Sequence, residues 1–285
     1  MSFIKRFIKD NFLYFFIKEK FGPAVQVEQR RLFHYYADCA AKKELPALRD
    51  TGFKVFSQFE EDGKLLFIFS VLGMDNKTFV EIGAADGLNS NCANLVFNFG
   101  WHGVFIDYDK PGIERGRKFY SRYPSPFHYP PKFVYSKVNR ENINSLIESQ
   151  GYKGALGLLS IDIDGNDYWV WDALSVVEPK VVIIETHNEF GYENIVVPYD
   201  PDYFYPGKHP VYHGASPVAM VNLARKKGYR LVGANELGFN FIFVKNGLAD
   251  ELIPEVSVES VLQHPSVIED FKKFEPIKDW EYVKG

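Results

Sequence analysis

The chain has 285 residues, of which 46% are hydrophobic and 25% charged, and a formal net charge of -4. That length can bury a large core in one or two domains, and the composition is that of an ordinary soluble globular protein. The acidic balance argues against a nucleic-acid partner, and two cysteines, Cys39 and Cys92, are too few for a disulfide framework and fit a reducing, cytoplasmic setting.

Aromatic residues make up 16% of the chain, with 26 Phe and 17 Tyr. Two readings fit this excess: a Phe-rich core, or an aromatic substrate cleft.

Residues 2–21, SFIKRFIKDNFLYFFIKEKF, set Phe3, Ile4, Phe7 and Ile8 at helical spacing among lysines. Lys5, Arg6, Lys9 and Asp10 interrupt the apolar run, and it has no small-residue cleavage site. The segment therefore reads as neither a spanning helix nor a signal peptide. It is either a basic amphipathic helix in peripheral contact with a membrane surface, or a helix packed on the main domain or on a second copy in a homo-oligomer. Gly22-Pro23 ends it, a second helix is expected over 26–43, and Pro46 and Gly52 mark a boundary. The expected division is a helical extension over 1–50, a main domain over 51–250 and a tail over 251–285 that mostly wraps the surface.

Ser57-Gln58-Phe59-Glu60-Glu61-Asp62-Gly63 follows the boundary. Ser57 and Glu60 have capping-box spacing ahead of the apolar run Leu65 to Leu72. The turn either only starts a helix or also lies beside a ligand pocket.

The next stretch, Phe79 to Asn91, reads as strand, tight turn, helix. An apolar run rises to Glu81, glycines follow at Gly83 and Gly87, and Asn89 or Ser90 can cap a helix whose free N–H groups would face a ligand. The G-x-G-x-x-G pattern that cradles a pyrophosphate is absent. The chain has E-x-G-x-x-x-G instead. A short strand, Gly103 to Ile106, then ends in Asp107, 20 residues past Gly87 and placed to hold ribose hydroxyls.

Strands are expected at 78–82, 103–107, 133–138, 156–163, 180–185, 229–234 and 239–245, with helices near 89–99, 111–120, 140–150, 167–176 and 216–227. This alternation predicts an α/β fold: a Rossmann-like, doubly wound, mostly parallel sheet with helices on both faces. Asn235-Glu236-Leu237-Gly238 is too short for a crossover, so the last two strands form an antiparallel hairpin.

The second dense signal is Leu158-Leu159-Ser160-Ile161-Asp162-Ile163-Asp164-Gly165-Asn166-Asp167-Tyr168. A strand runs into three aspartates, and the fifth strand ends in Glu185-Thr186-His187. Ligands of open α/β sheets bind beyond the carboxyl ends of the strands, which puts these acids on one rim with Gly83, Gly87 and Asp107. Crowded carboxylates need a cation, so Asp164 and Glu185 are candidates for a divalent metal, Mg²⁺ or Mn²⁺, that chelates neighbouring substrate hydroxyls. The alternative is that Asp162 caps the following turn and Asp167 caps the helix. An EF-hand is excluded, because the Gly comes too early and loop position 12 is Ala173. The Asp-x-Asp pair of nucleotide-sugar glycosyltransferases would leave the glycine turn and Asp107 unexplained.

The E-x-G-x-x-x-G turn resembles motif I of class I S-adenosylmethionine-dependent methyltransferases. Taken with Ser57-Gln58…Glu61-Asp62-Gly63, Ser160-Ile161-Asp162-Ile163-Asp164-Gly165 and Tyr212-His213-Gly214-Ala215-Ser216, the chain resembles FkbM-type and related sugar or polyketide O-methyltransferases over roughly residues 55–247. The resemblance implies S-adenosylmethionine as cofactor and methylation of a hydroxyl, often on a saccharide or glycoconjugate. It implies a cofactor site of Gln58, Glu81, Gly83, Ala84, Gly87, Asp107 and Asp162. Metal-dependent relatives carry Asp-Asp-Gly-Ser-His after the fourth strand. Against that pattern Asp164 takes the metal position and Asp167 stands where the basic His would be.

Methyl transfer to a hydroxyl needs an aligned acceptor and a proton acceptor. His187, His213 and Asp167 are the candidates. Residues 186–215, with Tyr192, Tyr199, Tyr203, Phe204, Tyr205 and Tyr212, show no helix or strand period. A loop of that length is functional or disordered. Its aromatics suit stacking on sugar rings, or it is a lid that only excludes water. The rival readings are an NAD-linked enzyme or nucleotide-sugar glycosyltransferase, and a non-catalytic membrane-associated module.

Overall fold

The structure is a computed structural model that describes residues 17–122 and 129–285. Seven strands form one sheet: β1 (Thr78–Ile82), β2 (His102–Asp107), β3 (Lys132–Tyr135), β4 (Gly154–Ile161), β5 (Val177–Glu185), β6 (Tyr229–Ala234) and β7 (Asn240–Lys245). Their order is β3-β2-β1-β4-β5-β7-β6. The five strands from β3 to β5 run parallel, and β7 inserts antiparallel between β5 and β6. This is the doubly wound, mostly parallel sheet with an antiparallel end that the strand spacing predicts. The hairpin turn is closed by Asn235, whose Oδ1 accepts from the amides of Phe239 (3.0 Å) and Asn240 (3.2 Å).

Alternate residues of each strand serve opposite faces. Val80, Ile82, Val104 and Ile106 point to one core with Leu159, Trp171 and Met220. Helices α5 (Ile143–Ser149), α6 (Asp167–Ala173) and α7 (Pro217–Lys226) cover that face. Phe79, Phe105, Leu158 and Ile183 point the other way, against α1 (Pro23–Lys42), α2 (Glu61–Leu72), α3 (Ala93–Phe99) and α4 (Lys110–Tyr120). Phe56, Phe67, Phe69, Phe79, Phe99 and Phe105 are fully buried on this second face. Much of the Phe excess therefore builds core.

Some boundaries differ from expectation. Strand β5 begins at Val177, upstream of Pro179, rather than at residue 180. At Pro179 the strand pairs only with β4, since β7 joins from Val181 onward, so no N–H is missed there. Helix α1 begins at Pro23 in its first turn, where the missing N–H costs nothing. Of the amphipathic segment, residues 2–16 lie outside the described residues, and Lys18–Phe21 form a short 3-10 turn. Among the described residues no helix is long and apolar enough to cross a membrane.

Residues 251–285 carry two short helices, Val258–Val261 and Pro265–Asp270, then a 3-10 stretch, Phe271–Ile277. Ile253, Leu262, Val267 and Ile277 are buried. Val196, in the middle of the long loop, pairs antiparallel with both Ala215 and Val283. Phe190 meets Phe274 and Tyr282 edge-on, with ring centroids 5.4 and 5.8 Å away. The tail and the 186–215 loop thus form one packed unit beside the carboxyl ends of β4 and β5.

Candidate active site

The turn after β1 is built around two constraints. Gly83 has φ +86°, and a Cβ there would lie 1.5 Å from the carbonyl oxygen of Asp162. Only glycine lets the two strand ends come that close. Glu81 is buried and accepts from Ser90 Oγ (2.8 Å), Asn91 N (2.9 Å) and Cys92 N (2.9 Å). Burial raises its pKa against the pull of those donors.

This arrangement corrects the expectation of a side-chain cap at Asn89 or Ser90. Helix α3 starts at Ala93, no side chain caps its Cys92 N-cap, and Ser90 donates to Glu81. The Glu81 carboxylate itself occupies the helix start, where a ligand was expected. An anion there satisfies free amides and meets the positive end of the helix dipole.

Asp107 stands at the end of β2. Its Oδ2 accepts from Ala85 N and its Oδ1 from Asp109 N, both at 2.6 Å. The carboxylate is thereby fixed on the rim of the glycine turn. Tyr108 follows, stacked on Tyr135 with centroids 5.5 Å apart and planes 13° from parallel. Tyr108, Ser136, Lys137 and Val138 line the same cavity. Sequence reasoning missed them; the adjacency of Tyr108 to Asp107 was the available signal.

Gln58 reaches the cavity because the loop before α2 is wound around Asp62. Asp62 Oδ2 accepts from the amides of Val55 (2.7 Å), Phe56 (2.5 Å) and Ser57 (2.9 Å), and Ser57 Oγ accepts from Asp62 N at 3.1 Å. The reciprocal pair is Ser57 with Asp62, not the Ser57–Glu60 capping box. Glu60 instead bonds Lys64 Nζ at 2.9 Å and the amide of Glu236. Burial pushes the Asp62 carboxyl up to about 6 despite its three amide donors.

At the other end, Asp162, Asp164 and Glu185 bring their carboxylate oxygens within 4.8 Å of one another. Glu185 Oε2 is buried with no hydrogen-bond partner among the described residues. Burial, then the neighbouring carboxylates, hold Asp162 and Glu185 well above the ordinary range. A cation with oxygen ligands would relieve all three at once. Asp167 is buried and spent on the loop: it accepts from Ile163 N and Gly165 N, both at 2.9 Å.

His187 lines the cavity and is 7% exposed; its Nε2 is buried, with no hydrogen-bond partner among the described residues. Its Nδ1 lies 3.6 Å from Glu189 Oε2, a charge contact rather than a formed hydrogen bond. His213 sits behind it, rings 3.9 Å apart and nearly perpendicular. Burial, then the neighbouring His187 imidazole, lowers the pKa of His213 to about 3, so it stays neutral at working pH. Its Nε2 lies 2.9 Å from the Pro210 carbonyl.

These groups face one cavity of about 890 Å³ at the carboxyl edge of the sheet, a size usual for small-molecule sites. Gln58, Gly83, Asp107, Asp162, Asp164, Glu185 and His187 are on its wall, whereas Glu81, Ala84, Gly87, Asp167 and His213 are not among the lining residues. Gly87 lies under the turn, where a Cβ would come 3.2 Å from the Phe105 and Phe133 rings. Tyr203, Phe204 and Tyr205 of the long loop, and Ser266 and Asp270 of the tail, complete the wall.

No protein-family model matches the chain, nor does any curated protein sequence. Solved structures do. The mitomycin 7-O-methyltransferase MmcR is 14% identical over 59% of this chain, with a TM-score of 0.36, and the match spans 48% of its own length. The N-terminal domain of EvdMO1 with SAH bound is 10% identical over 74% of this chain and 95% of its own, with a TM-score of 0.45. An O-methyltransferase family protein from Burkholderia thailandensis is 12% identical over 78% of this chain and 72% of its own, with a TM-score of 0.38. Likenesses this distant carry no weight for activity.

Proposed function

We propose that the chain is an S-adenosylmethionine-dependent O-methyltransferase acting on a saccharide or glycoconjugate hydroxyl, with a divalent cation in the acceptor half of its site. The observation that supports this most is the division of one cavity into two chemically different ends. One end has the Gly83 turn, Asp107 and Tyr108: a close backbone, a fixed carboxylate for ribose hydroxyls and an aromatic face for a base. It has no triple-glycine turn for a pyrophosphate, which disfavours the dinucleotide reading. The other end has three clustered carboxylates and an imidazole with a free nitrogen.

In this reading the bound sulfonium supplies the methyl group. Asp162, Asp164 and Glu185 hold the cation, whose oxygen-rich donor set suits Mg²⁺ or Mn²⁺. His187, on the cavity wall with Glu189 beside its Nδ1, takes the acceptor's proton. Asp167 holds the 163–165 loop, and His213 backs the His187 ring. The long loop and tail cover the acceptor and exclude water.

Isothermal titration with S-adenosylhomocysteine, NAD and nucleotide sugars tests the cofactor. Binding of the first alone is expected, and binding of only NAD or a nucleotide sugar would overturn the reading. A panel of methyl glycosides with labelled methyl donor then identifies the acceptor. Turnover that survives excess EDTA and metal-free buffer would remove the cation from the mechanism.

A further inference from the structure

Helix α4 presents one face to the glycine turn. Gly112, Arg115, Gly116 and Tyr120 recur at helical spacing along it and meet the consecutive turn residues Ala85, Asp86 and Gly87. A Cβ on Gly112 would lie 3.1 Å from the carbonyl carbon of Ala85, and one on Gly116 would lie 2.5 Å from the carbonyl oxygen of Asp86, so the helix backbone rests against the turn. Arg115 Nε donates to Asp86 Oδ2 at 2.8 Å, with the two side chains only 11% and 9% exposed. Asp86 Oδ1 accepts from Leu88 N at 3.3 Å, and the Tyr120 hydroxyl donates to the Gly87 carbonyl. The charged pair is the strongest of these fastenings.

Between this fastened segment and the cavity stands Ala85. It is exposed on the cavity wall, and its φ is +48°, a left-handed state that is costly for a residue with a Cβ. Such a state persists only where its surroundings impose it. Here they impose it from the far side: Asp86 and Gly87 are held on α4, and Ala85 makes the step that joins them to the end of β1. The Ala85 amide then donates to Asp107 Oδ2 at 2.6 Å, which sets the direction of the rim carboxylate. Arg115 is not among the residues that line the cavity, so any effect it has on ligand affinity passes through the turn.

We propose that Arg115 is a positioning residue for the cofactor: through Asp86 it holds Ala85 left-handed, and the Ala85 amide in turn keeps the Asp107 carboxylate facing the ribose hydroxyls. The proposal rests on the methyltransferase reading above. The test is isothermal titration of S-adenosylhomocysteine into the full chain. Arg115→Met should raise Kd about tenfold, the worth of one ordinary hydrogen bond. Ala85→Gly added to Arg115→Met should recover most of that loss, because glycine takes positive φ without the clamp. In an Asp107→Ala background Arg115→Met should cost no further affinity, since residues that act through one another are not additive. Taking the guanidinium from a buried carboxylate can unfold a chain. If Arg115→Met does not fold, Arg115→Met with Asp86→Asn, which removes both charges, takes its place in every comparison.

Equal affinity of Arg115→Met and wild type overturns the proposal. So does a loss that Ala85→Gly leaves in place, or one that repeats in full on Asp107→Ala; either would mean that the pair only supports the helix. A wild-type protein that does not bind S-adenosylhomocysteine refutes the cofactor reading and this assignment together, whereas failure of the Arg115 series alone leaves that reading standing.

Discussion

Gly83→Ala is predicted to be among the most damaging single-methyl additions in the chain, and three glycines allow its cost to be separated into parts. Gly100 has φ +70° and ψ +34° with nothing within 4 Å of the position a methyl would take, so Gly100→Ala reads the left-handed backbone penalty alone, about 1–2 kcal/mol. Gly87→Ala adds contacts at 3.2 Å with the Phe105 and Phe133 rings, which can yield slightly. Gly83→Ala places the methyl 1.5 Å from the Asp162 carbonyl oxygen, which is backbone and cannot rotate away. Driving the ends of β1 and β4 apart adds about 1–3 kcal/mol of overpacking, for a total of about 2–5 kcal/mol. That is a large part of the 5–15 kcal/mol typical of a folded protein. Urea unfolding midpoints of the three variants give the series directly. Binding of S-adenosylhomocysteine by Gly83→Ala should also fall, since the displaced turn is itself the wall of the proposed cofactor end. If Gly83→Ala unfolds at the same urea concentration as Gly100→Ala, the close approach of the two strand ends does not constrain the fold.

Asp107→Asn should weaken S-adenosylhomocysteine binding by about tenfold and cost about 1 kcal/mol of stability, because one of two oxygens that each accept from a backbone amide becomes an NH2 that cannot; equal affinity by titration would refute its role. Asp62 gives an unusual pH signature. Its carboxyl, raised from 3.8 to about 6 in the folded chain, keeps its proton there while the unfolded chain loses it, so stability falls as pH rises between those values and stays lower above them. The cost at neutral pH is about 3 kcal/mol. Asp62→Asn should lack this slope in urea titrations from pH 4 to 7, and a parallel slope in both proteins would contradict the assignment. Ile277→Ala, at a fully buried position packed with Phe190 and Val211, should cost about 2–5 kcal/mol locally and lower turnover more than cofactor affinity. An equal loss of both would show that the tail does not act on the acceptor side alone.

The strands were readable because each is a short apolar run between turn residues, and the hairpin because Asn235–Gly238 leaves no room for a helix. The rim residues Gly83, Asp107, Asp164, Glu185 and His187 followed from position alone, since strand ends of a parallel sheet share one edge. What was not readable was direction. Glu81 and Asp167 are acids in the right segments, yet their oxygens are taken up by local amides, and spacing does not tell a carboxylate that faces a ligand from one that faces its own loop. Asp162 belongs to the metal-type cluster with Asp164 and Glu185, and Asp164 adopts φ +54°, a backbone state that a residue list does not reveal. The wall contributed by Ser266 and Asp270 was likewise invisible, because it depends on where a tail with no clear periodicity returns to the domain.

The bridge from Val196 to Val283 spans 87 positions of the chain and sets an order of events during synthesis. The sheet edge with the glycine turn and Asp107 can close while the ribosome is still adding residues. The loop over the acceptor side cannot acquire its tail partner until Val283 has emerged. Domains assemble in the order they are made. On the proposed reading, a growing chain would thus have its cofactor end formed before its acceptor end, and a premature stop upstream of the bridge would leave the acceptor side without its tail.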